Sequence, residues 1–372
     1  MNYDFLIVGS GFFGSVIAER LSNELKKKVL IIEKRNHIGG NCFSEIDKKT
    51  GIEFHKYGTH IFHTSNEKVW KYINQFTKFN SYRHQVLANY QKKIYQLPIN
   101  LETINSFYNK SLNPIQAKNF IKSEIKKNKI LKPKNFEEKA ISLIGKKLYN
   151  AFIKGYTTKH WGVNPKQLPS SIISRLPIRF NYNEDYFNHC RWQGIPVHGY
   201  TEIFSKLLNN TNIKLRLNEE FKIEKYKKNI PVLYTGPLDK LFNYKFGKLE
   251  WRSVSFKKTY HNCDDYQGNS VINYSEKHIP FTRIHEPKHL HPEKKILKTL
   301  TFAEFPQENI DEPYYPINNN LNRHLYKKYK SEIVKNKNFF VGGRLADYAY
   351  YDMDMTISAA LQLYYKKIKA IF

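Results

Sequence analysis

An α/β architecture is predicted, with a parallel sheet at the N-terminus, an inserted helical domain and an antiparallel β-sheet domain. Three observations predict it. Residues 3–9 read as a short buried strand that runs into Gly9-Ser10-Gly11-Phe12-Phe13-Gly14, and the next apolar residues, Val16, Ile17, Ala18 and Leu21, have helical spacing. Between about 66 and 156 the apolar residues keep that spacing: Val69, Trp70, Ile73 and Phe76, then Ile115, Phe120 and Ile121, then Ile141, Ile144, Leu148 and Ile153. From about 212 to 305 the runs shorten and β-branched or aromatic residues alternate with polar ones, as in Trp251-Arg252-Ser253-Val254-Ser255-Phe256, which reads as antiparallel sheet.

Composition bounds the class. The chain has 372 residues, enough for two or three domains, and its 41% hydrophobic and 25% charged residues with 17 Gly and 15 Pro exclude a disordered, collagenous or low-complexity protein. No apolar run is long enough to span a bilayer, and the chain enters Phe5-Leu6-Ile7-Val8 without a basic leader, so a soluble, cytoplasmic protein is expected. Cys42, Cys190 and Cys263 form no CxxC pair, which argues against a disulfide framework or a structural zinc site; no metal is expected. The net charge of +28 points to an anionic partner. Most of it comes from lysines scattered over a solvated surface, whereas the eleven arginines stand where a flat, always-charged fork is useful. A basic nucleic-acid-binding protein is the reading that rests on charge alone; the chain carries no recognised nucleic-acid module.

The first forty residues are more specific. After the glycine turn, Lys28-Val29-Leu30-Ile31-Ile32-Glu33 reads as a second strand ending in an acid nineteen residues beyond Gly14. Glycines let the backbone approach a pyrophosphate, the helix N-terminus supplies free N–H groups and positive potential, and Glu33 can accept bonds from a ribose. This is a Rossmann-like dinucleotide site. The chain continues Lys34-Arg35-Asn36-His37-Ile38-Gly39-Gly40-Asn41, a second glycine pair that resembles the extended fingerprint of FAD proteins with glutathione-reductase-like or amine-oxidase-like folds. Ile230–Asp239 looks like a strand and turn returning to this domain, as does Asn338-Phe339-Phe340-Val341-Gly342-Gly343-Arg344. Beyond it Asp352 is expected to cap a closing helix with Ile357, Leu361, Tyr364 and Ile368 on one face, its N-terminus aimed at the flavin. The expected partition is residues 1–65, 196–245 and 330–372 for the discontinuous FAD-binding domain, 66–195 for a mainly helical substrate domain and 246–329 for the sheet domain.

Several dense motifs occur in one order: His55-Lys56-Tyr57-Gly58-Thr59-His60-Ile61-Phe62-His63-Thr64, Lys154-Gly155-Tyr156-Thr157-Thr158-Lys159-His160-Trp161-Gly162, Gln193-Gly194-Ile195-Pro196-Val197, Pro280-Phe281-Thr282-Arg283, Glu312-Pro313-Tyr314-Tyr315-Pro316 and Gly342-Gly343-Arg344-Leu345-Ala346. Together they resemble the prokaryotic UDP-galactopyranose mutases over nearly the whole chain. That resemblance implies a flavin-dependent isomerase that interconverts UDP-galactopyranose and UDP-galactofuranose by ring contraction, with N5 of reduced FAD as covalent nucleophile and no net redox change. It also implies a homodimer and a product destined for cell-surface polysaccharide.

By the same resemblance, Arg175 and Arg283 would clamp the diphosphate, Arg175 from a mobile lid around 165–180. Tyr315, Tyr350 and His63 would stand at the reacting sugar. His84, Phe152, Tyr156, Thr157, Trp161, Tyr186, Phe187 and Asn273 would line the uridine and sugar side. Ser10, Gly11, Phe13, Glu33, Lys34, Asn41, His60, Ile61, Arg344, Asp352, Met353, Met355, Thr356 and Ile357 would hold FAD, with Asn218 and Glu219 flanking the adenine. Thr59 and His84 depart from residues often found in relatives, which bears on the sugar accepted. The competing enzyme reading is an FAD-dependent amine or alcohol oxidase or dehydrogenase, and redox balance separates the two.

Overall fold

The computed structural model describes residues 3–175, 178–225, 230–308, 312–334 and 336–372, with all their side chains but those of Ser171, Ser174, Arg175 and Lys225. Two sheets organise it. The first is wholly parallel, in the order Phe339–Val341, Val232–Tyr234, Phe5–Val8, Val29–Ile32, Ile213–Arg216. Strands covered on both faces should be continuously apolar, and Val29, Leu30, Ile31 and Ile32 are all buried. Helix Phe12–Glu24 follows the first strand and packs against Tyr200–Leu207 and Met353–Leu363. Phe5, Ile7, Val16, Ile17, Leu21, Phe204, Ile357 and Tyr364 meet in the core between them. Gly14 permits the tight turn from strand to helix: a Cβ there would stand 2.1 Å from the Gly9 carbonyl oxygen.

Strands from three distant parts of the chain therefore build one sheet. One expectation needs correction: residues 213–216, read with the antiparallel region, belong to this parallel sheet. A four-residue strand alternating Ile, Lys, Leu, Arg carries the same period in either setting, so periodicity alone could not assign it.

The second sheet has seven strands, in the order Tyr315–Pro316, Trp251–His261, Thr299–Gln307, Arg283–His285, Val271–Tyr274, Val86–Tyr90, Lys93–Leu97. Every pairing is antiparallel except that of Val271–Tyr274 with Val86–Tyr90. The 86–97 hairpin is the second correction, because it lies inside the stretch read as helical. It turns at Gln91 and Lys92 with φ of 52° and 60°, a left-handed turn usually announced by Asn-Gly. Without that signal the hairpin is silent in the sequence.

Helices Leu101–Tyr108, Pro114–Lys126, Phe136–Ile144 and Gly155–Trp161 surround a separate core that includes Ile104, Ile121, Phe136, Ile144, Leu148 and Phe152. Their starts are local chemistry. Asn100, Asn113 and Asn135 each accept a hydrogen bond from a backbone N–H of the first turn, and Gln116 closes a capping box with Asn113. Gly145, at φ +82°, separates Phe136–Ile144 from the helical run that reaches Trp161, and Gly162, at φ +69°, ends that run. The expected lid is described in part: Ser170–Arg175 forms a 3₁₀ turn, while positions 176–177 and the Arg175 side chain lie outside the described residues.

Candidate active site

The nucleotide side is built at the C-terminal edge of the parallel sheet. The Ser10 N–H and hydroxyl both donate to Glu33 Oε2, each at 2.9 Å, and the Arg35 N–H donates to Glu33 Oε1 at 2.9 Å. Glu33 is thereby fixed beside the glycine turn. The two glycine segments face each other, since a Cβ on Gly40 would stand 3.3 Å from Gly11 Cα. Asn41 accepts from Arg35 Nη2 at 3.0 Å, and Lys34 and Arg35 both pair with Glu312. Asn218 and Glu219 donate backbone N–H groups to the carbonyls of Arg35 and Glu33, at 3.0 Å each, which sets them next to the acid. Phe13 is buried against the Gly342-Gly343 turn; a Cβ on Gly342 would lie 2.2 Å from its ring.

Arg344 leaves that turn as a partly buried cation. Its Nε and Nη2 have no hydrogen-bond partner among the described residues, while its guanidinium lies over the rings of Tyr315 and Tyr350, at 5.0 and 4.7 Å. Helix Met353–Leu363 starts just beyond, with Asp352 at its N-cap position but making no side-chain bond to the helix, so the expected cap is positional only. Thr356 donates its hydroxyl to the Asp352 carbonyl, Met355 is exposed and Ile357 is in the core. Buried guanidinium nitrogens without a hydrogen-bond partner, glycines whose Cβ would close the cradle and an acid fixed beside it together fit a dinucleotide with an anionic group. Ser10, Gly11, Glu33, Gly40 and Arg344 are the residues that could hold it.

The substrate side meets the same tyrosine pair from the second sheet. Tyr315 and Tyr350 stack at 5.9 Å and 11°, and His160 approaches Tyr315 at 4.9 Å. Tyr156 lies parallel to His160 at 6.0 Å, one helical turn away, and its hydroxyl accepts from Arg283 Nε at 3.0 Å. Arg283 also pairs with Glu304 at 3.3 Å across adjacent antiparallel strands, where the two are in register. Both terminal nitrogens of Arg283 are without a hydrogen bond among the described residues, so the fork is free to take an oxyanion. Burial works against both charges, but each partner outweighs it. Glu304 holds the Arg283 pKa well above its usual value, and Arg283 with His285 holds the Glu304 carboxyl well below the carboxylate range. Asn273 sits opposite Arg283 on the neighbouring strand.

A further wall stacks His63 on Phe187 at 3.8 Å, with His84 on the same ring at 5.7 Å and against Tyr186 at 5.6 Å. Burial, then the charge on Arg283, pushes His84 down to about 3 and His160 to about 4; burial alone leads for His60, also at about 4. These imidazoles are neutral at pH 7. Burial lifts Tyr315 to about 12, so its hydroxyl keeps its proton. Ile61 is buried, and the His60 carbonyl accepts from the Tyr200 hydroxyl at 3.2 Å. Thr157 is buried, and Trp161 is partly buried against the helical core. Phe152 is 3% exposed and packs in the helical core against Tyr90, Tyr95 and Phe107 at 5.1–5.9 Å.

Four residues of this cluster were not singled out from sequence. Glu304 and His285 sit in alternating strands where a charged residue ordinarily faces solvent. His160 lay within the Lys154–Gly162 motif and could have been found there. So could Lys159, whose Nζ donates to the carbonyls of Tyr274, Ile279 and Phe281 at 2.7, 3.0 and 2.8 Å, pinning the motif helix to the sheet.

The family model described as UDP-galactopyranose mutase matches residues 151–350, and one described as an NAD(P)-binding Rossmann-like domain matches residues 7–76. The chain is 44% identical to a probable UDP-galactopyranose mutase of Klebsiella pneumoniae over 97% of this chain and 94% of that one. It is 41% identical to a dTDP-fucopyranose mutase of Escherichia coli over 98% and 99%, and 36% identical to a UDP-galactopyranose mutase of Mycoplasma genitalium over 97% and 94%. Its fold is like that of a reduced UDP-galactopyranose mutase, at a TM-score of 0.76 with 14% identity, covering 100% of this chain and 95% of that one. A putative protoporphyrinogen oxidase from Exiguobacterium shares the fold at 0.67 and 12%, covering 100% and 99%, so the fold alone does not single out one family. The full-length relatives and the family match over the very helix and strands that carry Tyr156, His160, Arg283 and Tyr315 decide between them: this chain belongs to the UDP-galactopyranose mutase family.

Proposed function

We propose that the protein binds FAD and, with the flavin reduced, interconverts the pyranose and furanose forms of UDP-galactose. The observation that carries this reading is the Tyr315–Tyr350 pair, with the unpartnered Arg344 guanidinium over it on the nucleotide side and the Arg283–Tyr156–His160 group beside it on the substrate side. A flavin bound at the glycine cradle would supply a nucleophilic nitrogen to the anomeric carbon and recover its electrons within the cycle.

The chain's own residues then hold a leaving diphosphate and orient the sugar. Arg283 offers its free fork to the diphosphate while Glu304 and the Tyr156 hydroxyl keep its Nε end fixed. Arg175 is the second cation of the clamp, brought by the 165–180 segment. Tyr315 and Tyr350 screen the reacting centre from water. His63, His84, Tyr186, Phe187, Thr157, Trp161 and Asn273 line the sugar and uridine side, where the His84 imidazole stays neutral and exchanges hydrogen bonds rather than charge. On the cofactor side Ser10, Gly11, Phe13, Glu33, Lys34, Asn41, His60, Ile61, Arg344 and the start of helix Met353–Leu363 act on FAD, with Asn218 and Glu219 near its adenine. A cytoplasmic homodimer belongs to the same reading; light scattering on the purified protein tests the dimer.

The identity to a dTDP-fucopyranose mutase favours dTDP-fucopyranose as a second substrate reading. One experiment addresses both. Dithionite-reduced protein is incubated with UDP-galactofuranose or with dTDP-fucopyranose, and the products are chromatographed. Ring interconversion without consumption of an electron acceptor is expected, and the preferred nucleotide sugar decides the substrate. Acceptor reduced in proportion to substrate would establish an oxidase or dehydrogenase instead.

A further inference from the structure

The segment that carries His60 and His63 is tied to the arginine side of the site by a buried chain of hydrogen bonds. Thr59 Oγ1 lies 2.8 Å from His285 Nδ1, and His285 Nε2 lies 3.2 Å from Glu304 Oε2. Glu304 Oε1 accepts from the Thr282 hydroxyl at 2.8 Å and pairs with Arg283 Nε at 3.3 Å. His285 and Glu304 are each 2% exposed. Phe256 closes one side of His285, ring to ring at 6.0 Å, and also meets Gly58, next to Thr59, where a Cβ would stand 3.1 Å from its ring.

The proton positions follow from the partners. An ionised Glu304 can only accept, so Nε2 of His285 must carry the hydrogen that points to it. The Thr59 hydroxyl is then the hydrogen-bond partner of Nδ1. A valine of the same shape at position 59 could make no such bond, and the ring would be left with an unsatisfied buried nitrogen or turned away from Glu304. The turned ring frees one oxygen of the carboxylate that fixes Arg283.

We infer that Thr59 and His285 are positioning residues for anion binding: through Glu304 they hold the free fork of Arg283 where a nucleoside diphosphate meets it. This rests on the proposed role of Arg283, and two kinds of readout keep the two apart. Ring interconversion by the wild-type enzyme tests the mutase reading. The bridge is tested on flavin-loaded protein by titrating UDP and inorganic pyrophosphate into wild type, Thr59→Val, Thr59→Ser, His285→Leu and the Thr59→Val/His285→Leu double variant. Histidine nitrogen shifts are recorded in parallel.

Thr59→Val is expected to weaken UDP and pyrophosphate binding about three- to tenfold, the size of one neutral hydrogen bond, and to raise KM by the same factor with kcat within about twofold. Thr59→Ser should bind like wild type, and its His285 Nδ1 shift should stay in place while Thr59→Val moves it. Because both side chains act through one path, Thr59→Val should add nothing in the His285→Leu background. Wild-type binding by Thr59→Val, a full additional loss in the double variant, or equal Nδ1 shifts in Thr59→Val and wild type would each overturn the bridge. So would a uniform fall in flavin content and melting temperature with no change in UDP affinity. None of these outcomes depends on whether the wild type turns over a sugar.

Discussion

Arg283 does two jobs that different substitutions separate. Its charge keeps Glu304 ionised in the sheet interior, and its fork is free for a diphosphate. Arg283→Ala removes both and leaves a buried carboxylate alone, a loss of about 3–5 kcal/mol when one partner of a buried pair is deleted. It should lower the melting temperature and abolish turnover together. Arg283→Lys keeps a cation near Glu304 and gives up the bidentate geometry. Charge-assisted bonds contribute about 1.5–3 kcal/mol each, so kcat/KM should fall about tenfold to a hundredfold with a much smaller change in melting temperature. Steady-state kinetics beside thermal melts check this; equal destabilisation by both variants would reject the division. Arg175→Ala is expected to keep its flavin and lose turnover, read by flavin absorbance and the same assay.

At the scale of elements, the glycine turns make opposite predictions. Around Gly11 the nearest atom to an added Cβ is Gly40 Cα at 4.0 Å, so the protein itself has room. Gly11→Val should fold as stably as the flavin-free parent and yet purify without yellow colour, because the side chain fills the space the cofactor needs. At Gly342 the added Cβ strikes the Phe13 ring at 2.2 Å, so Gly342→Ala should lower the melting temperature of flavin-free protein as well. Melts of flavin-free samples and flavin absorbance distinguish these; flavin retained by Gly11→Val would contradict the cradle.

The same contrast explains what was legible in the sequence. The turn Gly9–Gly14, Glu33 and the Gly342–Arg344 turn could be read because their chemistry is local: a backbone needs glycine where something comes close. The 86–97 hairpin could not, since a left-handed turn at Gln91-Lys92 is fixed by the strand Val271–Tyr274 that pairs beside it, far away in the chain. The site divides likewise. Arg283 and Tyr315 stand in dense motifs. Glu304 is a site residue only because sheet register sets it against Arg283, and His285 because the loop that carries Thr59 folds against its strand; register between strands is invisible to periodicity.

The whole molecule carries +28 while its proposed substrate is an anion, so steering should show. kcat/KM for a nucleotide sugar is expected to fall as salt rises, with kcat nearly constant, and salt-sensitive oligonucleotide binding should be weak and without sequence preference. A more searching whole-molecule test uses the histidines. Burial pushes His55 and His84 down to about 3 and His60 and His160 to about 4, against about 6.5 in an unfolded chain. Below about pH 6.5 the unfolded state therefore takes up protons at four sites that the folded state keeps neutral. Stability is fully present above that pH and is lost as pH falls toward 4. His289 works the other way. Despite the opposing effect of burial, Glu286 and Asp265 raise its pKa, so its contribution is present below about 6.5 and is lost as pH rises through the raised value. Burial lowers His37 as well, so five sites against one leave a net loss on acidification. Burial also raises Asp239 and Asp347, which bind protons more readily folded than unfolded and soften the slope at its acid end. Between pH 6.5 and 5, where ordinary carboxylates are still largely ionised, the melting temperature of flavin-free protein should fall steadily, with more than one proton taken up per molecule unfolded. Calorimetry in buffers of different ionisation enthalpy counts those protons directly, and a flat or rising profile over that interval would mean that the imidazoles around the site are charged rather than neutral.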